Sequence, residues 1–134
     1  MSQKGLIDFV MDAKSRIKEV DVEKAEQLLS EGYKILDVRE PSEHNQLAIE
    51  NSLNVPRGVL EPAADLQYPK ANPDLRDSRD AQWLVLCATG GRSALATDVL
   101  QQMGFNNVIS ISGGMDAWVE AGKKTVTPID NPYQ

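Results

Sequence analysis

The sequence has little of what disulfide-bonded, membrane-spanning or nucleic-acid-binding proteins need. Its 134 residues include one cysteine, so no intramolecular disulfide can close, which agrees with a reducing compartment. Acidic residues outnumber basic ones by 20 to 14, and the net charge of -6 should repel nucleic acid and anionic lipid. No run approaches the roughly 18 apolar residues of a membrane span, and the N-terminus lacks the apolar stretch of a signal peptide. We therefore expect a cytoplasmic protein without membrane or nucleic-acid partners.

Residues 1–20 have the periodicity of an amphipathic helix. Apolar side chains recur at steps of three and four, which places them in one stripe along a helix; they are Leu6, Val10, Ala13, Ile17 and Val20. Two interpretations stay open for this N-terminal helical extension. It packs on its own domain, or it serves as a contact for a homodimer or a protein partner.

Residues 21–123 alternate short apolar runs with helical patterns, which indicates an α/β domain. Asp21 is placed to cap the first helix, VEKAEQLLSEG, and Gly32 to end it. Strands are expected in YKILDV, SLNVP, WLVLC and NVISIS, and two further helices in SALATDVLQQMG and GGMDAWVEAG. This order predicts a mainly parallel sheet with helices on both faces. The polar segment 57–82 reads as a surface connection with at most a short helix, and 124–134 as a loosely held tail.

The only cysteine stands where an α/β sheet places its ligands. Cys87 follows the most apolar run, WLVLC, and therefore lies at the carboxyl end of a strand. Gly90 and Gly91 can adopt backbone angles closed to other residues, and the next helix begins near Ser93. Convergent N–H groups beside the Arg92 guanidinium would form an anion site that favours the thiolate over the thiol. The alternative is a buried structural cysteine, which would not explain this combination of features.

The length of the loop separates two thiolate chemistries. The tyrosine-phosphatase signature H-C-x-x-x-x-x-R has five residues between cysteine and arginine, whereas this chain has four. Ser93 stands where that arginine would be, and Leu86 replaces the histidine. A tighter loop suits a smaller group held on the cysteine, such as one sulfur atom. Phosphatase or arsenate-reductase chemistry is the weaker alternative, and no second cysteine is present to resolve an arsenate adduct.

Four segments in order resemble the single-domain rhodanese family of sulfurtransferases. They are ILDVREPSEH, NVPRG, VLCATGGRSA and ISISGGMDAW, and together they extend over most of the chain. The resemblance implies a doubly wound α/β fold and a two-step sulfur transfer. Cys87 would take sulfur from thiosulfate, a polysulfide or a persulfide and pass it from a Cys87 persulfide to a thiol or cyanide. No metal or organic cofactor is implied.

The resemblance also assigns roles to the loop after the cysteine. Its backbone N–H groups would hold the thiolate and the persulfide; they belong to Ala88, Thr89, Gly90, Gly91, Arg92 and Ser93. The Arg92 side chain would attract an anionic donor. The chain departs from the family in LAIENS, where G-H-I-x-G-A is usual, and in having only one cation in the loop. Thiosulfate is therefore expected to be a poorer donor than a persulfide or polysulfide.

Other side chains receive smaller assignments. Asp37 and Arg39 end the first core strand, where they either support the cysteine loop or form a plain buried ion pair. His44, the only histidine, is expected in a surface loop, Trp118 in the core, and Trp83 partly exposed. A rival to enzymatic turnover is a sulfur-carrier or docking module that binds a partner through the N-terminal helix.

Overall fold

The structure is a computed structural model that describes residues 3–128. The strands are β1 Glu19–Val20, β2 Lys34–Asp37, β3 Leu53–Asn54, β4 Gln82–Leu86 and β5 Asn107–Ile111. The helices are α1 Leu6–Lys14, α2 Val22–Ser30, α3 Pro41–Gln46, α4 Leu60–Ala64, α5 Pro73–Arg76, α6 Gly91–Gln102 and α7 Gly114–Glu120. Within this range no helix combines the length and apolar character that crossing a bilayer requires.

The five strands form one parallel sheet in the order β1-β5-β4-β2-β3. The cysteine strand β4 lies at the centre, where Val85 pairs with Leu36 of β2 on one side and Ser110 of β5 on the other. The predicted α/β fold with a parallel sheet is confirmed. Because all strands run the same way, the segments that follow them converge at one edge of the sheet.

Helices cover both faces of the sheet, each over its own apolar cluster. One cluster lies under α4, α5 and α6, and the other under α2 and α7. Side chains of β4 alternate between them: Trp83 and Val85 join the first cluster, and Leu84 and Leu86 join the second. Cys87 continues the alternation into the first cluster, so its sulfur lies on the side of α6.

The N-terminal helix is shorter than its apolar periodicity predicted. It ends at Lys14, with Val10 and Ala13 buried against α6, whereas Glu19 and Val20 pair with β5 as an edge strand. Val20 continues the spacing of the apolar stripe, but its backbone pairs with Ile111 of β5. A truncation that removes residues 1–20 would therefore remove a strand as well as a helix.

The segment 57–82 is more structured than a surface connection. It contains a 3₁₀ turn at Arg57–Val59 and the two short helices α4 and α5, where at most one short helix was expected. Leu60 and Leu75 are fully buried in the first cluster, so this polar segment supplies part of the core. Of the prolines that suggested a loop, Pro73 begins α5, Pro62 lies within the short helix α4, and Pro69 lies between the two helices.

Two further expectations are corrected at the end of the chain and in β4. The beginning of the segment 124–134 is held in place by two contacts. Val126 forms an antiparallel bridge with Ala48, and the backbone carbonyl of Lys124 accepts a hydrogen bond from the Trp118 indole N–H. Residues 129–134 of the expected tail lie outside the described residues. Trp83 is 2% exposed rather than partly exposed, and its indole N–H donates to the Ser78 carbonyl.

Candidate active site

The thiol of Cys87 is enclosed at the carboxyl end of the central strand. The residue is 1% exposed. The backbone N–H of Gly90 donates to Sγ at 3.0 Å, and the hydroxyl oxygen of Ser93 lies 3.5 Å from Sγ. The Gly90 N–H thus supplies a hydrogen-bond donor to a sulfur that burial separates from water.

The loop Ala88–Ser93 turns tightly into α6, and its two glycines have different functions. Gly90 caps the helix with φ +107, where a Cβ would lie 3.3 Å from the Gly113 nitrogen. Gly91 is helical, and a Cβ there would lie 3.6 Å from the Val10 side chain of α1; of the two glycines, only Gly90 uses a backbone angle closed to other residues. Among described residues only the Gly90 N–H reaches Sγ. The first N–H groups of α6 have no intrahelical acceptor, which leaves them available to an anion.

Two buried serines link the loop to the neighbouring strand. The Ser93 hydroxyl donates to the Gly90 carbonyl at 3.2 Å and shares a 2.9 Å hydrogen bond with the Ser110 hydroxyl of β5. Both serines are fully buried. Ser110 was not identified from the sequence, because its place opposite Val85 depends on the register between strands that are distant in the chain.

The start of α7 holds the backbone of the cysteine itself. Met115 N–H donates to the Cys87 carbonyl at 2.8 Å, and Asp116 N–H donates to the Ala88 carbonyl at 3.0 Å. The approach is so close that a Cβ on Gly114, whose φ is +57, would lie 2.6 Å from the Ala88 oxygen and nearer still to that of Cys87. The glycine pair in ISISGGMDAW therefore has a function at the site that sequence analysis missed.

The Arg92 side chain is paired with a carboxylate from another part of the fold. Its guanidinium donates to both oxygens of Glu43 in α3, at 2.8 and 3.1 Å. The hydrogen bonds from Arg92, with one from the Glu40 N–H, lower the pKa of the Glu43 carboxyl to about 2. Arg92 is thus beside the cysteine loop as predicted, but its positive charge is opposed by Glu43. The two residues are 49 positions apart in the chain, and this separation hid the partner from sequence analysis.

The Glu43–Arg92 pair makes a prediction about acid stability. The pKa of Glu43 is about 2 in the fold and near 4.5 ordinarily, so the pair stabilises the fold above about pH 4.5. That contribution is lost as the pH falls from 4.5 through 2. We expect denaturant unfolding of Glu43→Gln to depend less on pH over this interval than unfolding of the wild type. The exposed Glu31→Gln is the control, and an identical acid slope in Glu43→Gln would contradict the assignment.

Asp37 and Arg39 form a buried ion pair that supports the site indirectly. The Arg39 guanidinium donates to both carboxylate oxygens of Asp37 and to the Leu47 carbonyl at the end of α3. Within residues 3–128 neither side chain hydrogen-bonds the loop Ala88–Ser93. His44 lies in α3 with Nδ1 2.9 Å from Asp37, so its expected place in a surface loop is wrong. The cluster fixes α3, the helix that presents Glu43 to Arg92.

The concave surfaces differ in their distance from the sulfur. A cavity of about 730 Å³ lies at the opposite end of the sheet, and its lining includes Lys34 and Trp83 near the starts of β2 and β4. A smaller hollow of about 520 Å³ lies beside the cysteine loop and includes Ala88 in its lining. Of these two, only the second has a residue of the cysteine loop in its lining.

Comparison with known proteins identifies one protein family over most of the chain. The rhodanese-like domain model matches residues 21–121. Thiosulfate sulfurtransferase 16, a chloroplastic protein of Arabidopsis thaliana, is 34% identical over 125 residues, which cover 86% of this chain and 98% of that protein. The chain spans only 61% and 64% of two other curated relatives, a mitochondrial protein of Schizosaccharomyces pombe and another of Arabidopsis thaliana.

Two solved structures extend the comparison to the fold. A Rhodopseudomonas palustris protein of unknown function, described as a "possible tyrosine phosphatase", is 34% identical with a TM-score of 0.84, covering 92% of this chain and 96% of that one. The polysulfide-sulfur transferase homodimer of Wolinella succinogenes is 29% identical with a TM-score of 0.67, covering 87% of this chain and 83% of that one.

Proposed function

Because the chain belongs to the rhodanese-like family, we propose that it moves sulfane sulfur from a donor to a thiol acceptor through a persulfide on Cys87. Relatives named as sulfurtransferases support sulfur transfer in general. The observation that carries the proposal is the position of the Cys87 sulfur, 3.0 Å from the Gly90 N–H at the start of α6. The identity of donor and acceptor, and the cytoplasmic location, belong to the proposal, since the relatives include mitochondrial and chloroplastic proteins.

The proposed reaction has two displacements. The Cys87 thiolate attacks the outer sulfur of the donor, a new S–S bond forms, and the donor's S–S bond breaks with its electron pair on the leaving group. With thiosulfate that leaving group is sulfite. An acceptor thiolate or cyanide then attacks the outer sulfur of the persulfide, and the electron pair of that S–S bond returns to Cys87. The free N–H groups at the start of α6 stabilise the negative charge in both steps.

The surroundings of Arg92 favour a polysulfide or persulfide over thiosulfate as donor. Thiosulfate carries two negative charges, but the guanidinium that would receive them already binds Glu43 through two hydrogen bonds. Glu43 stays ionised at neutral pH because its pKa is about 2. A dianion must therefore approach beside a carboxylate, whereas a persulfide or a singly charged polysulfide meets a smaller electrostatic cost.

Substitutions at the pair should change thiosulfate use in opposite directions. Glu43→Gln keeps a hydrogen-bond acceptor for Arg92 but removes the opposing charge, and we expect the KM for thiosulfate to fall about threefold to tenfold. Arg92→Ala removes the cation and should raise that KM. Steady-state assays at fixed cyanide measure both, with Glu31→Gln as the matched loss of one carboxylate. An unchanged KM in both variants would remove Arg92 from the donor site.

Mass spectrometry of the intact, reduced protein tests the proposal as a whole. Treatment with thiosulfate, and separately with polysulfide, should add the mass of one sulfur atom, and cyanide should remove it. Failure of both donors to add sulfur would reject the persulfide. Hydrolysis of an aryl phosphate by the same protein would then move the assignment to a cysteine phosphatase.

A carrier that docks on a partner is the second candidate, and α1 supplies the observation in its favour. Four large apolar side chains of this helix face solvent; they are Leu6, Ile7, Phe9 and Met11. Solvent exposure of this kind is common at sites of protein association. A carrier would load one sulfur atom per chain and return it in a single round, whereas an enzyme would make many thiocyanate molecules per chain under excess donor and cyanide.

A further inference from the structure

The hollow beside the cysteine loop has a chemical character that the reaction itself does not require. It lies between α3 and α7, and Ala88, the residue after the nucleophile, forms part of its wall. A molecule seated in it lies against Ala88, the residue that follows Cys87 in the sequence. The residues that line the hollow therefore influence which acceptors reach the persulfide.

The charges around the hollow are negative. Glu43 lies on the α3 side, and Asp116 and Glu120 lie one turn apart on the exposed surface of α7. Within residues 3–128 neither Asp116 nor Glu120 forms an ion pair. The one cation in the lining is Arg39, but it is 5% exposed and its guanidinium is bound by Asp37. Because Glu43 already binds Arg92, the excess negative charge of this surface comes from Asp116 and Glu120, and it attracts cations and repels anions.

The hollow also has an apolar component between its acids. Leu47 at the end of α3 and Met115 at the start of α7 form part of the wall. Val119 is 46% exposed, so one large apolar side chain is presented to solvent within the acidic surface. A surface that combines negative charge with an exposed apolar contact fits a peptide segment with positive and apolar side chains.

We propose that this acidic hollow receives the sulfur acceptor as a cysteine in a positively charged segment of a partner protein. The inference rests on the proposed function, since it names the acceptor class for the Cys87 persulfide. Lysine or arginine beside the acceptor cysteine would be attracted by Asp116 and Glu120. The same positive charges stabilise the acceptor as thiolate, the form that attacks sulfur.

The transfer step balances without another reactant. The acceptor thiolate attacks the outer sulfur of the Cys87 persulfide, and a new S–S bond forms on the acceptor. The S–S bond to Cys87 breaks, and its electron pair leaves as the Cys87 thiolate beside the Gly90 N–H. The proton on the outer sulfur, when present, moves with that atom to the acceptor.

The test uses two peptides of equal length, each with one cysteine flanked by lysines in one peptide and by glutamates in the other. The full-length protein is loaded with polysulfide, and discharge is followed by mass spectrometry. Each rate is divided by the rate at which the same peptide takes sulfur from a small organic polysulfide, which corrects for thiol reactivity. We expect the lysine peptide to be favoured about tenfold or more, with the preference falling as salt rises.

Charge-neutralising variants locate the effect. The double variant Asp116→Asn, Glu120→Gln should reduce the preference to about twofold or less. Glu31→Gln with Asp74→Asn removes the same charge from the opposite end of the domain and should leave the preference unchanged. Equal discharge by the two peptides, or equal loss of preference in both double variants, would overturn the proposal while leaving the persulfide established.

A binding measurement keeps the inference testable if no sulfur is loaded. The lysine peptide with serine in place of its cysteine should shift the NMR signals of Val119 and Asp116, and the Asp116→Asn, Glu120→Gln variant should weaken that binding. Failure to load sulfur rejects the proposed function. Absence of binding by the lysine peptide rejects the acidic hollow as its site.

Discussion

Replacing Cys87 with serine is expected to abolish sulfur loading in a protein that stays folded. Serine fits the buried position, and its hydroxyl can accept the hydrogen bond from the Gly90 N–H that Sγ accepts at 3.0 Å. The hydroxyl is not a sulfur nucleophile, so we expect sulfur transfer to fall by about a thousandfold or more. Intact mass after polysulfide treatment measures loading, and thiocyanate formation measures turnover.

Cys87→Ala is the matched control for the serine variant, because it removes the hydroxyl as well as the thiol. Both variants should have wild-type circular dichroism and neither should gain sulfur. Since the chain has no other cysteine, no second thiol can mask the effect. Sulfur gain in either variant would contradict the assignment of Cys87 as the carrier.

Gly114→Ala should be the most damaging of the glycine substitutions. Its φ of +57 strains any other residue, and the added Cβ would collide with the carbonyl oxygens of Cys87 and Ala88. Relief of the collision must move α7 away from the loop and lengthen the hydrogen bonds that Met115 and Asp116 donate. We expect a loss of about 3 kcal/mol in the free energy of unfolding and about a hundredfold in sulfur transfer.

Gly122→Ala separates backbone strain from the collision. Gly122 has φ +72, but a Cβ there would meet nothing within 4 Å. This variant should lose about 1 kcal/mol and keep its activity. Denaturant unfolding followed by activity measurement below the transition compares the two variants. If Gly114→Ala and Gly122→Ala reduce stability and activity equally, the hydrogen bonds from α7 to the cysteine loop have no special importance for the site.

Secondary structure was predicted correctly where the pattern of neighbouring residues determines it. The apolar run ending at Leu86 is the central strand, and Asp21 caps α2 through its side chain, as predicted. Apolar periodicity predicted the wrong element where a segment pairs with a strand that is distant in the sequence. Val20 fits the helical stripe of α1, but pairing with Ile111 makes it a strand. Leu75 lies in a proline-bordered polar segment, and only the assembled core reveals that it is buried.

The features of the candidate site also fall into those set by neighbouring residues and those set by distant segments. The position of Cys87 at a strand end and the turn at Gly90 follow from neighbouring residues, and the sequence predicted both. Contacts between distant segments could not be predicted, because spacing along the chain says nothing about which helices face each other. Glu43 beside Arg92 and Gly114 against the Cys87 carbonyl are such contacts. The first gives a structural reason for the expected weak use of thiosulfate, and the second shows how closely α7 packs against the cysteine loop.

The two outer strands of the sheet restrict how this protein can associate with other chains. Each outer strand, β1 and β3, has only two residues. An extended peptide laid along either edge would gain few backbone hydrogen bonds, so strand addition and edge-to-edge aggregation are disfavoured. Partner proteins are therefore recognised by helices and loops. Their side chains distinguish between partners better than the backbone N–H and C=O groups of an edge strand do.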